Sequence, residues 1–172
     1  MQIRNILSGT SCLALLAAGG IGYAGSLSSA DRNFMITPAQ TDMTEAHIGQ
    51  MAENQAARTD VKDFAKTLVQ EHTESYENLT RLAAKTGVSI PKGINAAKHP
   101  AIRQLVRLKG TRFDRDFARD EIAADRQEIA VFKREAARGH DADAKSFAVK
   151  TIPILEKDLQ LAEQCAKPAR HG

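Results

Sequence analysis

The sequence predicts an all-α protein, a four-helix bundle made of two helical hairpins joined by a crossover connection and preceded by an N-terminal signal segment. Three observations predict it. Aromatic residues make up only 5% of the chain and Trp is absent, while Ala, Lys, Arg, Glu and Asp dominate, a palette that favours helices over the aromatic and β-branched runs of a sandwich or barrel. Apolar residues recur at three- and four-residue steps in long blocks, the period of a helix with one buried face. Glycine and proline fall mostly between those blocks, where they punctuate. With 172 residues, 42% hydrophobic and 26% charged, the chain has room for one domain of ordinary size and enough apolar surface to fold it.

Residues 1–30 carry a single charge, Arg4, followed by the apolar run from Cys12 to Ile21. That run is too short and too rich in glycine to span a bilayer, which takes about 20 apolar residues, and it fits the hydrophobic region of a secretory signal. Gly22-Tyr23-Ala24 and Ser28-Ser29-Ala30 offer two cleavage positions; an uncleaved anchor is the alternative. The expected organisation is a signal and linker over 1–30 and one domain over 31–172, located in the periplasm or cell envelope. Cleavage removes one of the 24 basic residues and none of the 21 acidic ones, which leaves about +2 and no strong global field. It also removes Cys12, so Cys165 has no intramolecular partner. Cys165 is then a small apolar residue on a terminal helix, or the link in a disulfide-bonded homodimer.

The first helix is expected to follow Pro38 and Thr41 and to run to about Arg58, with Met43, Ala46, Met51 and Ala52 as a weak stripe. The second carries Val61, Phe64, Ala65, Leu68, His72, Tyr76, Leu79, Leu82 and Ala83, is capped by Thr59 or Asp60, and ends at Gly87 and Pro91. From Ser89 to Gly110 the chain reads as the crossover, with a short amphipathic piece over 101–109. The third long helix starts near Thr111, shows Phe113, Phe117, Ile122, Ile129 and Phe132, and ends at Arg138-Gly139, where glycine suits a left-handed position. Asp141 or Asp143 caps the fourth, whose stripe runs Ala144, Phe147, Ala148, Ile152, Leu155, Leu159 and Ala162 with Pro153 inside it as a kink. Two hairpins and a long connection make a ferritin-like bundle.

His72 lies on a core stripe, where a histidine is either a hydrogen-bonded core residue or a ligand. Glu45 precedes a hinge near residue 59 by about as many residues as His72 follows it, so antiparallel packing at about 1.5 Å per residue sets them nearly level. A Glu and a His facing each other make half of a metal site or a charge-assisted hydrogen bond. In the second hairpin, at least one of Asp125 and Arg126 points inward, between Ile122 and Ile129. Their candidate partners on the last helix are Glu156 and Asp158, of which Asp158 is within reach of a long arginine but awkward for two short ligands. The set Glu45, His72, Arg126 and Asp158 is therefore easier to build as an internal ion-pair network than as a metal cage. The alternative metal set is Glu45, His72, Asp125 and Asp158, with iron, zinc or copper as the ion; if Arg126 points to solvent, Asp125 or Glu128 is free to join Glu45 and His72.

No Gly-rich phosphate loop, CxxC pair, HExxH helix or GxSxG elbow occurs in the sequence, which makes a familiar hydrolase or nucleotide enzyme improbable. His47, His99, His140 and His171 are scattered outside the stripes. Between residues 92 and 115 seven basic residues face one acid. Lys98, Arg103, Arg107, Lys109 and Arg112, beside Ile102, Leu105, Val106 and Leu108, form a basic amphipathic element. It suits a membrane surface or an anionic envelope component, or packs its apolar side on the bundle; nucleic acid fits less well, since no aromatics are interleaved.

The order Phe34-Met35, Glu45 with Met51-Ala52, Val61-Lys62-Asp63-Phe64-Ala65 through His72, Phe113-Asp114-Arg115-Asp116-Phe117, Ala136-Ala137-Arg138-Gly139-His140-Asp141, and Phe147-Ala148 through Ile152-Pro153-Ile154-Leu155 resembles the bacterial family called domain of unknown function 4142. The resemblance implies an exported ferritin-like bundle with no established reaction, and inward residues that include a Glu on the first helix and a His on each later long helix. Glu45 and His72 match, whereas Arg126 and Asp158 stand at the other two positions. Arginine has no lone pair for a cation, so the expectation is a salt bridge in place of a metal. The function expected is that of a non-catalytic binding or structural module of the envelope, the alternative being a ferritin-like metal-binding or redox protein using Glu45 and His72.

Overall fold

In a computed structural model, which describes residues 27–168, the chain is all-α and contains no strand among the described residues. Its helices are α1 (Ser29–Gln55), α2 (Thr59–Lys85), α3 (His99–Leu105), α4 (Gly110–Arg138) and α5 (Ala142–Cys165), with a 3₁₀ turn at Ala96–Lys98 before α3. Most of residues 1–30, where the sequence suggests a signal, including Arg4 and the run from Cys12 to Ile21, lies outside the described residues. None of the described helices is long and apolar enough to cross a membrane.

α1 pairs closely with α2 and α4 with α5, each pair joined by three residues, and the two pairs meet through α1 against α4 and α2 against α5. Gly49 lets α1 and α2 approach: a Cβ there would stand 2.8 Å from Val69 Cγ2 and 3.0 Å from the Ala65 carbonyl oxygen. Two apolar clusters fill the interior at different heights. The upper holds Phe34, Met35, Leu79, Phe132 and Leu155, with the Phe34 and Phe132 rings edge to face at 5.1 Å. The lower holds Val61, Phe64, Leu68, Phe113 and Phe117, the last two rings stacked at 5.8 Å. The segment from α2 to α4 runs the length of the molecule, since Val88 at its start packs in the upper cluster and Leu105 in the lower.

Each short turn is closed by an aspartate from the other helix pair. Asp114 on α4 accepts from the Ala57 and Arg58 backbone N–H groups at 2.9 and 3.0 Å, satisfying donors that the start of α2 leaves free. Asp31 on α1 accepts from the His140 backbone N–H at 2.9 Å. Arg58 then donates to the Cys165 and Lys167 carbonyls at 3.0 and 2.7 Å, capping the C-terminal end of α5.

Four sequence expectations change. α1 begins at Ser29, not after Thr41, because Ser28 Oγ accepts from Asp31 N and opens the helix there; Pro38 lies buried inside it. Leu27 also packs on the upper cluster, so the folded domain reaches back past the boundary at residue 30. Arg58, with no side-chain cap of its own, occupies the N-cap of α2 instead of Thr59 or Asp60, because Asp114 serves those donors. Gly139 has φ −59 and is not left-handed, while Gly87 and Gly110 have φ +70 and +60. Asp141 does cap α5, accepting from Ala144 N at 2.8 Å.

Candidate metal centre

Between the two apolar clusters lies a layer of acids. On α4 the inward stripe Phe113, Phe117, Glu121, Asp125, Glu128, Phe132 keeps helical steps throughout, but its three middle members are carboxylic acids, all buried. α1 supplies Asp42 and Glu45, one turn apart on its buried face. α2 supplies His72, in the gap its apolar stripe leaves between Leu68 and Leu79, and α5 supplies Asp158 between Leu155 and Ala162. His72 is 2% exposed and Asp158 1%.

His72 Nδ1 lies 2.9 Å from Asp42 Oδ1. Asp42, His72 and Glu128 each offer one ligand atom, and these atoms lie within 4.8 Å of one another. Ligands about 2.1 Å from a shared ion stand about 3 to 4 Å apart, so small side-chain adjustments close this set on a cation. Glu45 neighbours Glu121, and Asp158 neighbours Glu71, whose Oε1 accepts from Lys157 at 3.1 Å. Oxygens of Asp42, Glu45, Glu121, Asp125, Glu128 and Asp158 and the Nε2 of His72 are buried without a partner. Among the described residues no Lys or Arg is buried.

A carboxylate taken from water without a counter-charge resists ionisation. Burial, reinforced by the charges of Glu45 and Asp125, holds Glu121 well above the usual carboxylate range, and burial does the same for Glu128 against the attraction of His72. Burial lifts Asp125 to about 7, and burial with the Glu71 contact lifts Asp158 to about 8. Glu45 is raised by burial in spite of His72. Burial alone would depress His72, but its hydrogen bond to Asp42 and the charges of Glu128, Asp42 and Glu45 override it and raise the ring to about 10. The layer thus stores protons in places that suit a cation.

The sequence matches the family model described as Domain of unknown function (DUF4142) over residues 18–165. The chain belongs to this family. No curated protein and no solved structure matches it. The DUF4142 match takes in all four long helices, so every acid of the central layer lies within the family domain.

Within this DUF4142 domain the residues singled out from the sequence divide. Glu45, His72, Asp125 and Asp158 all reach the buried layer. Arg126 does not: its side chain is 63% exposed and pairs with Glu163 at 2.9 Å. The internal ion-pair network of Glu45, His72, Arg126 and Asp158 is therefore overturned, because on α4 the helical phase that buries Asp125 and Glu128 turns Arg126 to solvent. The partner of His72 is Asp42, one turn before Glu45, and Glu121 joins unforeseen. Their signal is present in the sequence, as acids that continue a stripe of phenylalanines in register.

Lys98, Arg103, Arg107, Lys109 and Arg112 are all exposed on the connecting segment, while Leu105 is buried and Leu108 packs on the lower cluster. The segment's apolar side faces the helices. Cys165 is buried, its thiol donating to the Asp60 carbonyl at 3.7 Å and pushed up to about 11 by burial. That placement covers the Cys165 thiol.

Proposed function

We propose that the protein is an envelope-located, ferritin-like four-helix bundle whose binding function is to hold a divalent cation at Asp42, His72 and Glu128. One observation carries this reading: buried acids and a histidine converge between two apolar clusters with unpartnered atoms and no buried Lys or Arg beside them. Asp42 and Glu128 as carboxylates balance a divalent charge, and His72 supplies a neutral nitrogen. One imidazole and two carboxylates suit manganese, iron or zinc better than a soft ion, and copper less well. Binding displaces protons from the layer, which makes uptake favoured by rising pH. The signal-like segment supports the envelope location.

Elemental analysis of the chain purified from cells without chelator tests the reading. The expected result is about one metal per chain at this position, lost in His72→Ala and in Glu128→Gln while the circular dichroism of both remains helical. Background metal, with no uptake of manganese, iron or zinc in equilibrium dialysis, would leave a proton-filled structural layer and overturn it. The five exposed cations of the connecting segment, beside Val106 at 42% exposure, favour a second contact with an anionic envelope surface. Pelleting with anionic vesicles that is insensitive to salt, or absent, would dismiss that contact.

A further inference from the structure

We infer that the same interior takes a second cation, a hard divalent ion held by oxygen ligands between Glu45 on α1 and Glu121 on α4. The inference shares with the reading above the premise that cations reach this interior, but it stands on different residues. Glu45 and Glu121 are 4% and 2% exposed, and each keeps an Oε2 without a partner. Both line a cavity of about 390 Å³ beneath the connecting segment, walled on its other side by Ile48, Ile102 and Leu105. At about 30 Å³ of liquid volume per water, that space takes an ion with several of its waters. Such a site needs few protein ligands.

Charge sets the occupancy. A divalent ion at Asp42 and Glu128 leaves Glu45, Glu121 and Asp125 unbalanced in the same layer. Glu45 and Glu121, side by side on the cavity wall, become a pair of carboxylates around the ion once deprotonated, so two negative charges meet two positive ones. The lining residues of this cavity include no His, Cys or Met, and an oxygen-only set with room for water suits Mn²⁺, Mg²⁺ or Ca²⁺. The Asp42 and His72 position, which has a nitrogen, has a different preference. Lys98 lines the same cavity, and its charge acts on Glu45. It opposes a cation there and, being exposed, must turn outward for the ion to settle.

Titration of the chain purified from cells with Mn²⁺, read by the loss of the free-ion electron paramagnetic resonance signal, separates the two positions. Wild type is expected to bind two equivalents. His72→Ala keeps the oxygen-only one, and Glu121→Gln and Glu45→Gln each keep the histidine one, with circular dichroism confirming the helices. Lys98→Gln is expected to tighten the equivalent that Glu121→Gln removes by roughly threefold to tenfold. A single equivalent that survives Glu121→Gln and Glu45→Gln and disappears in His72→Ala overturns the second position and keeps the first. A single equivalent with the opposite pattern overturns the first and keeps the second. Loss of both equivalents in every variant overturns two separate positions, and no binding in wild type overturns both readings.

Discussion

The helical domain buries the same chemical group under opposite conditions at its ends, in Asp31 and Asp114, and in the acids of its middle. Asp31 and Asp114 are 1% and 2% exposed, a depth like that of Asp158 or Glu121 in the central layer. Asp114 receives two backbone N–H groups, and Asp31 receives Ser28 Oγ at 2.7 Å and the His140 N–H. Burial would raise Asp31, but those hydrogen bonds hold its carboxyl below the ordinary value. In the middle the same depth raises every acid whose shift is resolved. Depth therefore does not decide whether a buried carboxylate is structural; the number of its lone pairs that find a donor does.

Removing an end carboxylate is expected to have the largest effect. Asp114→Ala takes the acceptor from two amides of the α1–α2 turn and should lower the unfolding free energy by about 3 kcal/mol, read from urea denaturation, with metal stoichiometry unchanged. An equal loss of metal would erase the division between ends and middle.

Next comes pH. In the metal-free protein burial holds Asp125 and Asp158 up at about 7 and about 8, against an ordinary 3.8 for an exposed aspartate. Over that window the folded chain holds protons the unfolded chain has lost, so stability is fully present below about pH 4 and falls as pH rises toward 8. His72, raised from 6.5 to about 10, adds in the same direction at higher pH. Asp31, lowered by its hydrogen bonds, contributes only above its usual range and loses that contribution in stronger acid. Thermal melts in chelator should therefore peak near pH 4 to 5 and decline by about 5 °C or more toward pH 8, a slope that added Mn²⁺ or Zn²⁺ flattens. A melting temperature that rises from pH 5 to 8 in chelator would contradict the proton-storing layer.

Asp158→Asn keeps the shape and removes the charge. It should stabilise the metal-free chain by about 1 to 2 kcal/mol at pH 8 and leave it unchanged at pH 4, the reverse of Asp114→Ala. The smallest effect belongs to the boundary between the regions. Gly49→Ala gains helix propensity but sets a methyl against Val69 and the Ala65 carbonyl, and a net loss of about 1 kcal/mol is expected in urea.

Much of this was legible in the residues. The stripes through Phe64 and Leu68, Phe113 and Phe117, and Leu155 and Ala162 marked buried faces, because apolar spacing is a local property that packing then uses. His72 and Asp158 stood on those stripes and are buried. Glu128 was legible as an acid that joins His72 once Arg126 faces solvent, whereas Asp42 and Glu121 were not, since acids are ordinarily assigned to solvent and only the phase of Phe117 and Phe132 says otherwise. Arg126 misled for the complementary reason: Asp125 and Arg126 are adjacent, about 100° apart around a helix, and composition alone does not tell which is inside. Pro38 read as a helix start because it lacks a donor, and the cap that overrules it, Ser28, sits within what reads as a cleavage motif.

The crossed closures made by Asp31 and Asp114 have a consequence for how the chain folds. Each turn is finished by a residue from the opposite hairpin, 56 to 109 positions away along the chain. Neither hairpin is a self-sufficient folding unit, so severing the chain within the connecting segment should yield two fragments that remain largely unfolded apart and regain helix on mixing. Those distant closures also tie the two halves into one cooperative transition.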